Sequence, residues 1–262
     1  MRLLFLLGTV VTAAAIIPIL PHLLHERTVN YKDSNGNQLE GYLAYPLWVT
    51  PNRKAPAVIV FHAFLGRTPF EEDRTRQLAK LGYVAFAADT YGKNGAANTT
   101  DGNFAIMNAL LGNRTTVLRD RILKAWEYVN TLKFVDKTKI GSIGYCFGGL
   151  CTLDLARFNV GLKAAVSFHG TLDDYPGNGT EIDASVQAHH GDIDPFTTNS
   201  DQFLEEMRRR NGDWVFERYA HAQHAFAMTF IDSLNIPGAS FNPIAANRSW
   251  TAMEAFLAEK LF

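Results

Sequence analysis

Short apolar runs alternate with amphipathic segments from Arg27 to the carboxy terminus, and this alternation restricts the fold more than any other feature of the chain. "APAVIVF" (55–61) is followed by "FEEDRTRQLAKLG" (70–82), "YVAFAAD" (83–89) by "TTVLRDRILKAWEYVNTL" (115–132), and "KIGSIGY" (139–145) by "CFGGLCTLDLARF" (146–158). Runs that are apolar on both faces belong to strands inside a parallel sheet, and the segments of period 3.6 between them belong to helices that cover it. The rhythm continues through "LKAAVSFHG", "ASVQAHHGD", the helical "NSDQFLEEMRRRN", "DWVFERYA" and the carboxy-terminal "NRSWTAMEAFLAEKLF". At the start, "TVNYKDSNGNQLEGYLAYP" (28–46) alternates with period two about Asn35-Gly36, which predicts a hairpin. The Gly- and Asn-rich "YGKNGAANTTDGN" (91–103) reads as a loop. The predicted class is α/β, with a mostly parallel central sheet flanked by helices.

With 262 residues, 47% of them hydrophobic and 19% charged, the chain buries a core without staples. Its net charge is -1 and its basic residues are scattered, which excludes the electrostatic footprint of a nucleic-acid binder and points to a small-molecule partner. The only cysteines, Cys146 and Cys151, make no disulfide framework, and no His, Cys or carboxylate spacing resembles a metal motif, so neither metal nor cofactor is expected.

The first 25 residues form an apolar leader ahead of a single domain, 26–262. "MRLLFLLGTVVTAAAIIPIL" has one basic residue, an apolar run and the small residues Ala13, Ala14 and Ala15, the pattern of a secretory signal peptide. Left uncleaved it is an anchor that tethers the chain to a membrane, although Pro18 and Pro21 interrupt a long spanning helix. Sequons at Asn98, Asn113, Asn178 and Asn247 agree weakly with a secretory route; without a signal, the chain is cytoplasmic. A monomer is expected.

Ligands of parallel sheets bind beyond the carboxyl ends of the strands, so the loops there deserve inspection. Gly144-Tyr145-Cys146-Phe147-Gly148 follows a strand and opens a helix, the form of a nucleophile elbow. The helix amino end favours a thiolate. The same five residues also read as a small buried cysteine in a tight connection.

Downstream, Asp194 follows the next-to-last strand and His224 the last, so nucleophile, acid and base stand in α/β-hydrolase order. Asp192 rivals Asp194 as the orienting carboxylate, and His221 rivals His224 as the base. His189 and His190 read as core residues at a strand end. An oxyanion would be held by the amides of Phe147 and, from the loop after the earlier strand, Phe64.

On the blocks "VIVFHAFLGRT", "LAKLGYVAFAADTYGK", "IGYCFGGLCTLDLAR", "VSFHG", "HGDIDPF" and "HAFAM", in this order, the chain resembles the dienelactone hydrolase family of the α/β-hydrolase superfamily. The resemblance implies a triad of Cys146, Asp194 and His224 that cleaves esters or lactones through a thioester, with the amides of Phe147 and Phe64 as oxyanion hole. It also places Ala63 where the best-known members carry a thiol-activating glutamate, and Lys93 and Met228 where they carry two carboxylate-binding arginines. Lys93, Phe226 and Met228 are then the substrate-binding candidates, with Phe64, Phe147, Phe226 and Met228 lining an apolar pocket. A non-catalytic binding protein on the same fold is the competing reading, and a cysteine peptidase a weaker third.

Overall fold

The computed structural model describes residues 23–176 and 179–262. Its strands are β1 (Leu24–Lys32), β2 (Gln38–Pro46), β3 (Ala55–Phe61), β4 (Val84–Ala87), β5 (Val135–Tyr145), β6 (Ala164–Phe168), β7 (Ser185–Gly191) and β8 (Trp214–Tyr219). They form one sheet in the order β1-β2-β4-β3-β5-β6-β7-β8. β2 runs antiparallel to both β1 and β4, and from β4 to β8 every pairing is parallel. The helices are α1 (Pro69–Lys80), α2 (Thr100–Gly112), α3 (Arg119–Thr131), α4 (Phe147–Arg157), α5 (Ser200–Arg209) and α6 (Pro243–Leu261).

Every residue of β3 is buried, as its unbroken apolar run requires of a strand covered on both sides. On one face Ile59, Phe86 and Ile140 pack with Ile122, Val129 and Leu153 of α3 and α4. On the other, Val58, Val60 and Val166 pack with Leu78 of α1 and with Met253 and Leu257 of α6. The hairpin turns where Gly36 takes a φ of 84°, the left-handed conformation that its glycine permits.

Several sequence expectations need correction. The segment 91–103 is a loop only to Thr99, whose Oγ accepts from the Gly102 amide at 3.1 Å and caps α2. The expected helix 115–132 begins with a π turn over Arg114–Leu118 and becomes α-helical at Arg119. The last helix starts at Pro243, four residues before its apolar pattern, because Asn242 caps the amides of Ile244 and Ala245 at 3.1 Å each. Leu24 and His25, assigned to the leader, pair with Pro46 and Tyr45 in β1, so the folded body begins ahead of residue 26. Residues 1–22 of the leader, with Pro18 and Pro21, and Asn178 of its sequon lie outside the described residues.

One buried ionic chain went unread. Arg114 forks onto Asp154 at 2.7 and 2.8 Å, Arg157 reaches the same carboxylate at 2.9 Å, and Arg157 forks onto Glu206 at 2.6 and 2.9 Å. It fastens α4 to α5 and to the turn before α3. Removing one member of a buried pair leaves the other charge unpaired in low dielectric, at about 3–5 kcal/mol. Glu206→Ala is therefore expected to lower the unfolding free energy in urea by about that amount, with unchanged chemistry at the distant strand ends; a loss below 1 kcal/mol would contradict a dry ionic chain.

Candidate active site

Between β5 and α4 stands Cys146, with φ 55° and ψ −116°. A side chain in this left-handed region is strained by about 1–3 kcal/mol and persists only where neighbours hold it. Here the Cys146 amide donates to the Phe168 carbonyl at 3.0 Å, and the Cys146 carbonyl accepts from the Gly149 amide at 2.8 Å. The turn closes because nothing projects from the flanking glycines. A Cβ at Gly144 would stand 1.9 Å from the Gly148 oxygen, and one at Gly148 would stand 2.2 Å from the Phe61 oxygen. A Cβ at Gly149 would stand 2.6 Å from the Gly170 Cα. Cys146 is half-buried, whereas Cys151, one turn along, is sealed in the core. Burial, then the Asp154 charge, pushes the Cys151 thiol well up, so it stays protonated and inert.

His224 follows β8, and its Nδ1 donates to Asp194 Oδ2 at 2.8 Å. The other Asp194 oxygen accepts from the amides of Phe196 at 2.8 Å and Thr197 at 3.2 Å, which fixes the carboxylate in the loop after β7. Burial opposes charge on His224. The Cys146 sulfur and the Asp194 carboxylate outweigh it and raise the imidazole to about 10. With Nδ1 committed to Asp194, the opposite edge of the ring is left for the sulfur. The rivals are elsewhere: Asp192 lies near Arg218 on the surface, with 3.9 Å between them, and His221 is exposed.

The first amide of α4, that of Phe147, has no carbonyl four residues back within the helix. The peptide before Phe64 is oriented from its other side, since the Ala63 carbonyl accepts from the Gly66 amide at 3.2 Å and lies 2.7 Å from His62 Nδ1. That nitrogen carries the proton, because His62 Nε2 accepts from the Thr90 amide at 3.2 Å. In a trans peptide the Phe64 N–H then points away from both donors. Two further groups brace this loop. The Tyr91 hydroxyl donates to the Phe64 carbonyl at 2.6 Å, and the Glu71 carboxylate accepts from Ala63 N at 3.2 Å and Thr68 N at 2.9 Å. Glu71 is the acidic member of the Thr68 capping box, a signal present in "TPFE". Its reach to the Ala63 amide is what the sequence does not announce.

Cys146 and His224 open onto a cavity of about 190 Å³, walled by Phe64, Phe104, Met107, Phe196 and Met228 among others.

A model of the Dienelactone hydrolase family matches residues 39–261. The chain belongs to this family. Family membership makes it a hydrolase of ester or lactone bonds on the α/β-hydrolase fold. An uncharacterised protein of Caenorhabditis elegans is 39% identical over 155 residues, which span 57% of this chain and 98% of that one. A protein of Bradyrhizobium sp, named as a probable 2-oxo-3-(5-oxofuran-2-ylidene)propanoate lactonase, is 29% identical over 83% of this chain and 88% of its own. Among solved structures, a dienelactone hydrolase-like promiscuous phosphotriesterase from metagenomic libraries superposes with a TM-score of 0.85 at 30% identity, covering 91% of this chain and 99% of that one.

Against the family pattern, three substrate-side expectations change. Lys93 does not line the cavity: it sits in a separate polar hollow, paired with Glu40 at 3.0 Å and bonded to Asn30 at 2.9 Å, because the loop after β4 turns back over the hairpin. Phe226 and Phe147 are core residues. Phe226 packs against His169, with 5.1 Å between ring centroids, and Phe147 packs between His62 and Tyr91 at 6.0 Å from each. Of the named candidates, Phe64 and Met228 line the cavity. Ala63 is buried behind it.

Four of the chain's histidines divide by charge. His169, in the left-handed region at φ 39°, packs its ring 5.4 Å from that of His224, and burial followed by the His224 charge drives it well down. Burial lowers His189 to about 3 and lowers His190 as well. Groups depressed in the fold cost stability once the unfolded chain takes up protons, below about 6.5, at about 1.4 kcal/mol per pH unit each. His224 acts in the opposite sense: its contribution is complete below about 6.5 and is lost as pH rises toward its folded value. Unfolding free energies from urea titrations at several pH values are expected to fall in acid below this range more steeply than they fall in base. His189→Gln is expected to flatten the acid limb; an unaltered limb would refute the assignment.

Proposed function

We propose that this protein hydrolyses uncharged carboxylic esters or lactones through a thioester on Cys146, with His224 as acid and base and Asp194 orienting it. One observation carries the reading: Cys146 and His224 face the same cavity while His224 holds Asp194 at 2.8 Å. The Cys146 thiolate attacks the substrate carbonyl carbon, and the carbonyl oxygen becomes an oxyanion held by the amides of Phe147 and Phe64. The C–O bond to the alcohol then breaks, and the departing alkoxide takes the proton of the His224 imidazolium. In a lactone the alkoxide remains attached and the ring opens. The neutral His224 next draws a proton from water, whose oxygen attacks the thioester; collapse releases the acid and restores the thiolate and the imidazolium. Asp194 stabilises the charged ring at each stage and fixes which nitrogen points at the reaction.

Met228 in an apolar wall, with Lys93 held elsewhere, supports an uncharged substrate in place of a carboxylate-bearing one. With the activating glutamate position occupied by Ala63, thiolate formation rests on His224 and the α4 amino end.

Hydrolysis of p-nitrophenyl butyrate by the native chain, Cys146→Ala and His224→Ala tests this. Both variants are expected to lose at least about a thousandfold in kcat/KM, and equal activity in all three would sink the proposal. With an alkyl ester such as ethyl butyrate, whose alkoxide leaves only with the imidazolium proton, kcat/KM is expected to fall as pH passes about 10, the free enzyme's value for His224. In Asp194→Asn that fall is expected at lower pH, because the carboxylate that raises His224 is gone; a limb that stays in place would show that Asp194 does not set the proton.

A further inference from the structure

Among the described residues, and apart from Cys146 and His224, the one polar side chain lining the cavity is Thr171. Its hydroxyl takes part in no side-chain hydrogen bond among the described residues. Thr171 lies three residues past the end of β6, whose Phe168 pairs with Tyr145 of β5 and accepts the Cys146 amide. The hydroxyl therefore hangs from the strand end next to the one that carries the sulfur. The residue before it, Gly170, lies against the first turn of α4, where a Cβ on Gly170 would stand 2.8 Å from the Gly149 Cα, so Thr171 borders the cavity beside the helix that starts at the sulfur.

Two further properties bound what enters. Among the described residues no lysine or arginine lines the cavity, which favours an uncharged acyl chain. An apolar cavity of about 150 Å³ holds a benzene ring, so the present one of about 190 Å³ suits an aryl group or a chain of roughly six to eight carbons.

A plain chain filling such a site strips water from the Thr171 hydroxyl and returns nothing. A chain with an oxygen near its carbonyl restores the hydrogen bond, and leaving a buried polar group unmatched is what makes sites of this kind selective. The geometry points to Thr171 as a specificity-determining residue for acyl groups of this size that carry a hydroxyl or keto oxygen on the second or third carbon. The inference rests on the proposed hydrolase reading of the same site.

Its test compares kcat/KM for p-nitrophenyl hexanoate, 2-hydroxyhexanoate and 3-hydroxyhexanoate in the native chain, Thr171→Val and Thr171→Ser. The native chain is expected to prefer one hydroxylated ester by about tenfold, the worth of one neutral hydrogen bond. Thr171→Val, which keeps the shape and removes the hydroxyl, should abolish that ratio, and Thr171→Ser should retain it. No preference in the native chain, or a ratio that survives Thr171→Val, overturns the inference. Calorimetric binding of ethyl hexanoate and ethyl 3-hydroxyhexanoate to Cys146→Ala, with and without Thr171→Val, separates the two proposals. A native chain that hydrolyses no ester, together with a binding preference that Thr171→Val removes, refutes the thioester and upholds Thr171. Cys146-dependent hydrolysis without any preference does the reverse.

Discussion

The carbonyl oxygens of Phe61 and His62 occupy the space that a Cβ on residue 148 would need, and the Gly148 oxygen occupies the space that one on residue 144 would need. Backbone thus meets backbone where β3, β5 and α4 converge. Three features follow from this contact. The chain reverses within one residue, so Cys146 is forced into its left-handed conformation; α4 starts against the sheet, with its amino end at the sulfur; and the loop after β3 passes close enough to bring Phe64 to the same place. The strain at Cys146 is offset by the hydrogen bonds of its own peptide to β6 and α4.

Charge in the interior is settled by pairing. His169 and His224 are neighbours in a common buried environment, yet the first is driven down and the second is raised. The difference is that His224 has the Asp194 carboxylate on one side and the sulfur on the other, whereas His169 faces the His224 charge and the Phe226 ring. The Asp194 carboxylate is itself held by two backbone amides, so it fixes the imidazole in one orientation. The Arg114-Asp154-Arg157-Glu206 chain applies the same rule to scaffolding, where matched charges hold α4 rigidly at the end opposite to the sulfur.

The parallel sheet and the elbow were legible because each leaves a local record: unbroken apolar runs for β3 and β5, and glycines at 144, 148 and 149. Asp194 and His224 were legible through chain order at strand ends, although nothing local distinguished Asp194 from Asp192 two residues away. What decided between them is three-dimensional: only the Asp194 carboxylate is turned inward and capped by amides. The site's wall was legible least. Phe147 and Phe226 look like pocket aromatics in a string of letters and prove to be packing, while Phe104 and Met107 enter from a helix hidden within polar, Gly- and Asn-rich surroundings. Capping by Thr99 overrode composition there, and side-chain direction depends on a helix whose existence composition denied.

That helix, α2, buries only Asn103 and Leu110 in the body of the protein, and its Phe104 and Met107 face the cavity. The elbow tolerates almost no substitution, since its atoms are in contact with other main-chain atoms. The wall opposite it is tied down by few contacts. Inheritance can therefore act on the two parts at different speeds: lineages carrying the same sulfur, imidazole and carboxylate are free to drift in what they accept, by exchanging residues on a helix the sheet scarcely needs.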